Sequence, residues 1–304
     1  MQWNGNRGSR LVPPAAWIGL DPMAPLLSLL AAMSIGTAAF LGGLAARRSR
    51  VLTVAFFSQA VGTSLYLVAF PWFNDGVLGF RAIAFGVVGG VLGVGGLALL
   101  YDALARGQMS VVAPVTAIQT AGLPVLFGVA VGERPSSIGF AGIACGLVAI
   151  GLLSIDPKAL KSSHDRRPKK RYVVQALLAG SAFGAFFILI DSAGAPAGHW
   201  PLLASRLASI AALVVFALSR GSQLRPEPGA RGKAGAAGCL DMGGNIFFLL
   251  AVHRGLLPVV TVVTSMYPLV TVVLARLLLE ERLSPSQVMG VLFATGAVSL
   301  IALG

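Results

Sequence analysis

Apolar residues run through this chain in blocks of about 20, cut by short polar breaks. Ten such blocks are legible: residues 23–45, 51–71, 82–103, 110–131, 136–155, 172–193, 199–219, 234–253, 256–279 and 284–303. A helix rising about 1.5 Å per residue needs about 20 mostly apolar residues to cross the hydrocarbon of a bilayer. Each block therefore predicts one spanning helix. Short breaks suit antiparallel neighbours. The one long break, "DPKALKSSHDRRPKKR" from Asp156 to Arg171, is charged and falls mid-chain. It predicts a basic linker over 156–171 between two halves, 23–155 and 172–304. The first 22 residues carry Arg7 and Arg10, then an apolar piece holding Pro13 and Pro14. That piece is too short and too proline-rich for a signal peptide. It reads as a disordered leader or a start codon placed too early, with Met23 opening the first span.

The two halves repeat at a constant offset of 148 residues. Arg106-Gly107 matches Arg254-Gly255, and Glu133-Arg134 matches Glu281-Arg282. Val115-Thr116 matches Val263-Thr264, Gly142 matches Gly290, and Gly36 matches Gly184. Apolar similarity alone explains the Val and Leu matches but not the charged pairs. Each half holds five spans, an odd number, so the second copy enters the membrane the other way up. "GERPSS" and "EERLSP" are then the same turn between the fourth and fifth helix of each copy, placed on opposite faces, with Ser284 a candidate cap for the helix that follows. Inverted repeats of this kind are typical of secondary transporters. The expected fold is all-α: an integral membrane protein of ten helices in two inverted five-helix repeats.

Composition agrees. Hydrophobic residues make up 56% of the 304 and charged residues 11%, about half the charge a soluble domain carries. Mean hydropathy is +0.83. A formal charge of +12 would suggest nucleic acid in a soluble protein. Here the basic residues sit in loops between apolar blocks, where they set topology, so the lipid bilayer and no nucleic acid is the expected partner. Cys145 and Cys239 lie inside apolar blocks and form no disulfide framework. His164, His199 and His253 have no metal-ligand spacing.

The phrases "SIGTAAFLGGLAARRS", "ALARGQMSVVAPV", "GERPS" followed by "GFAGIACGLVAIGLL", and "LAVHRGLLPVVTVVTSMYPLVTVVLARLLLEERLSPSQVMGVLF" occur in order and in duplicate. In them the chain resembles the drug/metabolite transporter superfamily, in its ten-helix EamA form, over nearly all of 23–304. The resemblance implies export or exchange of small metabolites, such as amino acids or related solutes, by alternating access around a central cavity. It implies no bound cofactor and a plasma-membrane location. One departure stands out: where the related bacterial branch often has an acid in helix 1, this chain has Ala39.

Ionisable groups inside a span cost about 2.5–3.5 kcal/mol on insertion scales, so each needs a reason. Asp241 and Asn245 lie four apart in the eighth span, on one helix face. Two readings stand: a polar patch on a substrate cavity, or an interhelical hydrogen-bond pair. Their counterparts at the 148 offset are Gly93 and Leu97, so this polar face belongs to one half. Asp241 is also the candidate for the coupling acid missing at position 39, since one carboxyl can take a cationic substrate group or a proton but not both comfortably. Arg206, inside the seventh span, either attracts an anionic substrate group or snorkels to the interface. Asp102 and Arg106 read as an ion pair at a helix end, and Asp191 as a residue facing the headgroups. Thr116 and Thr264 are repeat mates, as are Gln119 and Tyr267. With Pro114, Pro124 and Pro268 they lie in the fourth and ninth spans. Proline frees a carbonyl, which a membrane helix tolerates where neighbours or a wet cavity satisfy it. These two spans are expected to line the path, with the four side chains near its centre; the competing fate of the threonines is bonding back to their own helix. "GVVGGVLGVGG", Gly86 to Gly96, reads as a close-packing surface.

The substrate-binding set expected from sequence is therefore Asp241, Asn245, Thr116, Gln119, Thr264, Tyr267 and Arg206, with a small molecule as substrate and protons as the candidate coupling ion. A membrane-embedded lipid-modifying enzyme is the alternative, and it would need clustered acids or a Ser/His dyad within the spans. A non-transporting structural protein is the other, against which stand the two near-equal halves. No GxxxxGK[ST] loop is present. Finally, the loops after odd-numbered spans hold 16 Lys and Arg against 5 in the other loops and leader. The positive-inside rule then puts both termini outside the cytoplasm, opposite to the orientation the resemblance implies.

Overall fold

The computed structural model describes residues 23–73, 76–106, 109–154, 170–219, 224–278 and 284–303. The leader, most of the linker and the Glu281-Arg282 turn lie outside them. The described residues are helical, with no strand. The helices are α1 (Met23–Ala46), α2 (Val51–Phe73), α3 (Phe80–Arg106), α4 (Met109–Ala130), α5 (Ser137–Ser154), α6 (Lys170–Ser192), α7 (Trp200–Ser219), α8 (Pro228–Val252), α9 (Leu257–Thr264), α10 (Tyr267–Leu278) and α11 (Pro285–Leu303). Taking α9 and α10 together as one span, eight stretches are long and apolar enough to cross a membrane, and two shorter apolar helices cover Val115–Ala130 and Pro285–Ile301.

Local chemistry explains many of the boundaries. Proline stands in the first turn of α7, α8, α9 and α11, as Pro201, Pro228, Pro258 and Pro285, where its missing N–H costs nothing. Ser284 caps α11: its Oγ accepts the Gln287 N–H at 3.2 Å while the Gln287 side chain accepts the Ser284 N–H at 3.0 Å, a reciprocal capping box. Its repeat mate Ser136 caps α5 with its hydroxyl alone, accepting the Gly139 N–H at 2.9 Å.

One span departs from the sequence expectation. Residues 256–279 read as a single helix, but the chain breaks at Ser265-Met266 between α9 and α10. Pro268 is the cause. It has no N–H for the Thr264 carbonyl, and its ring crowds that carbonyl. α4 stays a single helix through Pro124.

The halves interlock crosswise. α1 packs on α8, and its mate α6 packs on α3; α2 packs on α8, and its mate α7 on α3; α5 packs on α11. Repeat-related glycines mark these contacts. A Cβ at Gly96 would lie 3.1 Å from the Ala179 carbonyl, and one at Gly244 would lie 3.2 Å from the Ala31 carbonyl. Gly142 abuts Ile301, and Gly290 abuts Leu153. Each partner in one pair is 148 residues from its counterpart in the other, so the contacts obey an internal two-fold relation. Small residues fill the inside (Ala31, Ala149, Ala176 and Ala234 have no exposed surface), whereas Leu65, Val68, Leu126, Val215 and Leu292 point outward. Lipid is as apolar as leucine, so close backbone approach rather than hydrophobic burial holds such helices together.

Candidate functional site

A cavity of about 780 Å³ lies between the halves. Its walls run from mid-helix, at Ile35 of α1, toward one end of the bundle, reaching Gly43 of α1, Leu100 of α3 and Ser154 of α5. That end carries Arg47, Arg48 and Arg50, in the loop that follows α1. The opposite end is closed by hydrogen bonds between the halves. Tyr66 Oη lies 2.9 Å from His199 Nδ1, the Trp200 indole N–H donates to the Gly76 carbonyl at 3.2 Å, and the Val77 N–H donates to the Pro196 carbonyl at 2.8 Å. Glu133, in the "GERPSS" turn, accepts the Leu257 N–H at 2.9 Å. It thereby caps the first turn of α9, where partial positive charge favours a carboxylate.

Six of the seven residues expected from sequence line the cavity: Thr116, Arg206, Asp241, Asn245, Thr264 and Tyr267. Gln119 is not on its walls. Its amide donates instead to Ser181 Oγ of α6 at 3.0 Å, and its stem packs on Gly180. Ala39, the position without its acid, is on the wall as well.

The charges meet across two helices. Arg206 Nη2 of α7 lies 2.8 Å from Asp241 Oδ2 of α8. Both readings of Asp241 thus apply at once: it lines the cavity and it joins two helices. Asn245 does not reach its carboxylate, however. The Asn245 amide donates to the Asp241 backbone carbonyl at 2.7 Å, so the partner that stabilises the anion is the guanidinium. Arg206 does not snorkel, since its side chain is 11% exposed while that of Asp241 is 38% exposed and open to the cavity.

Most wall hydroxyls are committed to backbone. Thr116 donates to the Ala176 carbonyl at 3.2 Å, Thr120 to Thr116 at 2.8 Å, Ser209 to Gly90 at 3.0 Å and Thr271 to Gly36 at 3.1 Å. Thr264 Oγ1, Gln59 Oε1 and Arg206 Nε are buried atoms with no partner among the described residues. Phe183, Phe186 and Phe187 give the cavity an apolar flank. The glycine run of α3 divides in two. Gly86 and Gly90 touch the α7 backbone, as close packing requires, while Gly89 and Gly93 face the cavity. Gln59 is the residue that sequence reasoning missed. The signal was present, a lone amide inside "VLTVAFFSQAVGTSLYLVAF". Among the described residues no group of three or more His, Cys, Asp or Glu could hold a metal ion. The side chains of Asp102 and Arg106 lie outside the described set.

Comparison with known proteins yields one family. The model of the EamA-like transporter family matches the chain twice, at residues 22–155 and 170–303. A solved crystal structure shares the fold with a TM-score of 0.76, at 15% identity, over 92% of this chain and 98% of the other. No curated protein matches in sequence.

Proposed function

The chain belongs to the EamA-like transporter family, and we propose that it moves small zwitterionic metabolites of the amino-acid type by alternating access between its two inverted repeats. The observation that carries this reading is the Arg206–Asp241 ion pair, at 2.8 Å, on the wall of a cavity large enough for such a solute. A substrate carboxylate faces the guanidinium and an ammonium faces the carboxylate, so both charges of the solute are matched by opposite charges already held in place. The phenylalanines take an apolar side chain. Asp241 is the candidate acid for coupling substrate movement to a proton gradient in the antiport sense.

The positive-inside count supports placing the open end of the cavity in the cytoplasm, with both termini outside. The state seen here is then inward-open, and the direction of transport is export across the plasma membrane. Labelling a variant with Ser162→Cys tests the orientation. Reaction with an impermeant reagent in intact cells reverses it.

Purified protein in liposomes tests the function. Labelled neutral amino acids should exchange across the membrane, an opposing proton gradient should drive their accumulation, and a protonophore should abolish it. Absence of flux across a panel of neutral, cationic and anionic amino acids would overturn the substrate class.

A further inference from the structure

The closed end is held where α2 meets α7. Tyr66 Oη lies 2.9 Å from His199 Nδ1, and Phe70 packs on Trp200 with ring centroids 4.8 Å apart. Tyr66 stands late in α2 and His199 just before α7, so the two helices run antiparallel. They are also repeat mates, which places the internal two-fold between them. The 148 offset gives the mates of the four contact residues: Val214 for Tyr66, Leu218 for Phe70, Val51 for His199 and Leu52 for Trp200. All four mates are aliphatic, and they lie at the other ends of the same two helices. Val51 is fifteen residues before Tyr66, and Val214 fifteen after His199. Fifteen residues of helix advance about 22 Å, so Val51 and Val214 are level with each other at the open end. Between these two levels Gln59 and Arg206 line the cavity. The two sets of mates differ in burial. Tyr66 is 2% and His199 7% exposed, whereas Val51 is 39% and Leu218 74% exposed.

We propose that Val51, Leu52, Val214 and Leu218 are a second gate, which closes the open end when the Tyr66–His199 latch releases. This rests on the reading of the protein as an alternating-access transporter. When two inverted repeats rock against each other, exchanging their conformations turns one end state into the other. A contact across the two-fold then passes to its mates at the opposite end. Its chemistry does not pass with it. The latch holds one end by a directed hydrogen bond and an aromatic pair. The mates have only methyl groups, which close a path by excluding water. Loss of one hydrogen-bond partner therefore weakens the latch and leaves the aliphatic gate untouched.

Cross-linking tests this on the full-length protein with Cys145 and Cys239 replaced by Ala. Val51→Cys with Val214→Cys supplies the gate pair, and a short bifunctional methanethiosulfonate supplies a cleavable link. A second pair, Ser49→Cys with Glu227→Cys, calibrates the reaction. Ser49 Oγ accepts the Glu227 N–H at 2.9 Å, and the mate loops at the closed end are joined as well, through Val77 and Pro196, so this contact persists in both states. Tyr66→Phe removes the latch hydrogen bond and should raise gate cross-linking about fivefold, with the calibrating pair unchanged. His199→Phe removes the other partner and should do the same. The linked gate should stop flux, and cleavage of the link should restore it. Gate cross-linking equally high with the latch intact and released would mean that α2 and α7 meet at both ends at once, which overturns the proposal. No gate cross-linking in any of the three proteins overturns it too. The link forms without a solute, so the two readings fail separately. Gating without amino-acid flux overturns the substrate class, and flux without gating overturns the gate alone.

Discussion

The first and second repeats are alike where they touch each other and unlike where they face the cavity. At the contacts, Gly96 and Gly244 meet the same partners in mirror fashion, and so do Gly142 and Gly290. On the cavity wall the second repeat supplies Arg206, Asp241 and Asn245, whereas their counterparts at the 148 offset are Ser58, Gly93 and Leu97. Duplication first gives two equal halves that can exchange roles in a rocking cycle. Recognition of a small asymmetric solute needs no such symmetry, so one copy is free to carry the charges. Backbone contact geometry is thus held by both copies, and the charged groups of the wall by one.

The largest effect should come from breaking the asymmetric feature. Removing one member of a buried ion pair leaves the other charge uncompensated, which costs about 3–5 kcal/mol in fully buried cases. Asp241 is open to the cavity, so about half of that is expected for Asp241→Asn, read as a lower melting temperature in detergent. Transport in liposomes should be lost as well. The double variant Arg206→Gln with Asp241→Asn should regain most of the stability and none of the transport. A single Asp241→Asn variant with wild-type rate and wild-type pH profile would make the pair purely structural.

The symmetric feature gives the next effect. Gly142→Val and Gly290→Val each push a branched side chain into the α5–α11 contact, against Ile301 in one case and Leu153 in the other. Overpacking of this sort costs about 1–3 kcal/mol. The two losses should agree to within about 0.5 kcal/mol, because the contacts are copies of one another, and they should add incompletely in the double variant. Losses that differ by more than about 2 kcal/mol would break the internal two-fold relation.

Much of this comparison was legible in the sequence, and the missing part has a physical reason. Periodic apolar blocks and a gap-free offset reveal spans and repeats because both are one-dimensional properties. Ser284 was visible as a cap because capping is local. The Arg206–Asp241 contact was not legible, since it joins two helices whose register depends on how Gly90 and Gly238 let α3 and α2 approach α7 and α8. The same holds for Gln119. Its spacing puts it one turn from Thr116, but only packing against Gly180 decides that it faces α6. The break at Ser265-Met266 had its signal in Pro268, yet the identical argument at Pro124 fails, so proline alone does not separate a kink from a break.

The gate comes third. Glu133 joins the first repeat to the start of α9 at the closed end. Loss of such a cap is worth about 1 kcal/mol, a shift of about fivefold between two states. In Glu133→Ala the closed end should open more often. A reporter from Ser136→Cys should then react about fivefold faster with a thiol reagent, while one from Ser284→Cys at the other end reacts more slowly. Parallel changes at both ends would argue for loosening of the whole bundle rather than rocking.

The smallest effect separates two repeat mates by a single hydrogen bond. Thr116 and Thr264 are 148 apart and both line the cavity. Thr116 donates to the Ala176 carbonyl of α6, but Thr264 Oγ1 is buried with no partner among the described residues. Valine has the shape of threonine without the hydroxyl. Thr116→Val therefore removes a made bond and should cost about 1 kcal/mol of stability with little change in substrate affinity. Thr264→Val removes an unsatisfied group, so stability should hold or rise slightly. If the hydroxyl serves the solute, substrate affinity should fall a few-fold. Melting temperatures and binding constants of the two variants, measured side by side, decide it. Equal behaviour in both readouts would mean that the asymmetry between the repeats stops at the charged residues of α7 and α8 and does not extend to the break between α9 and α10.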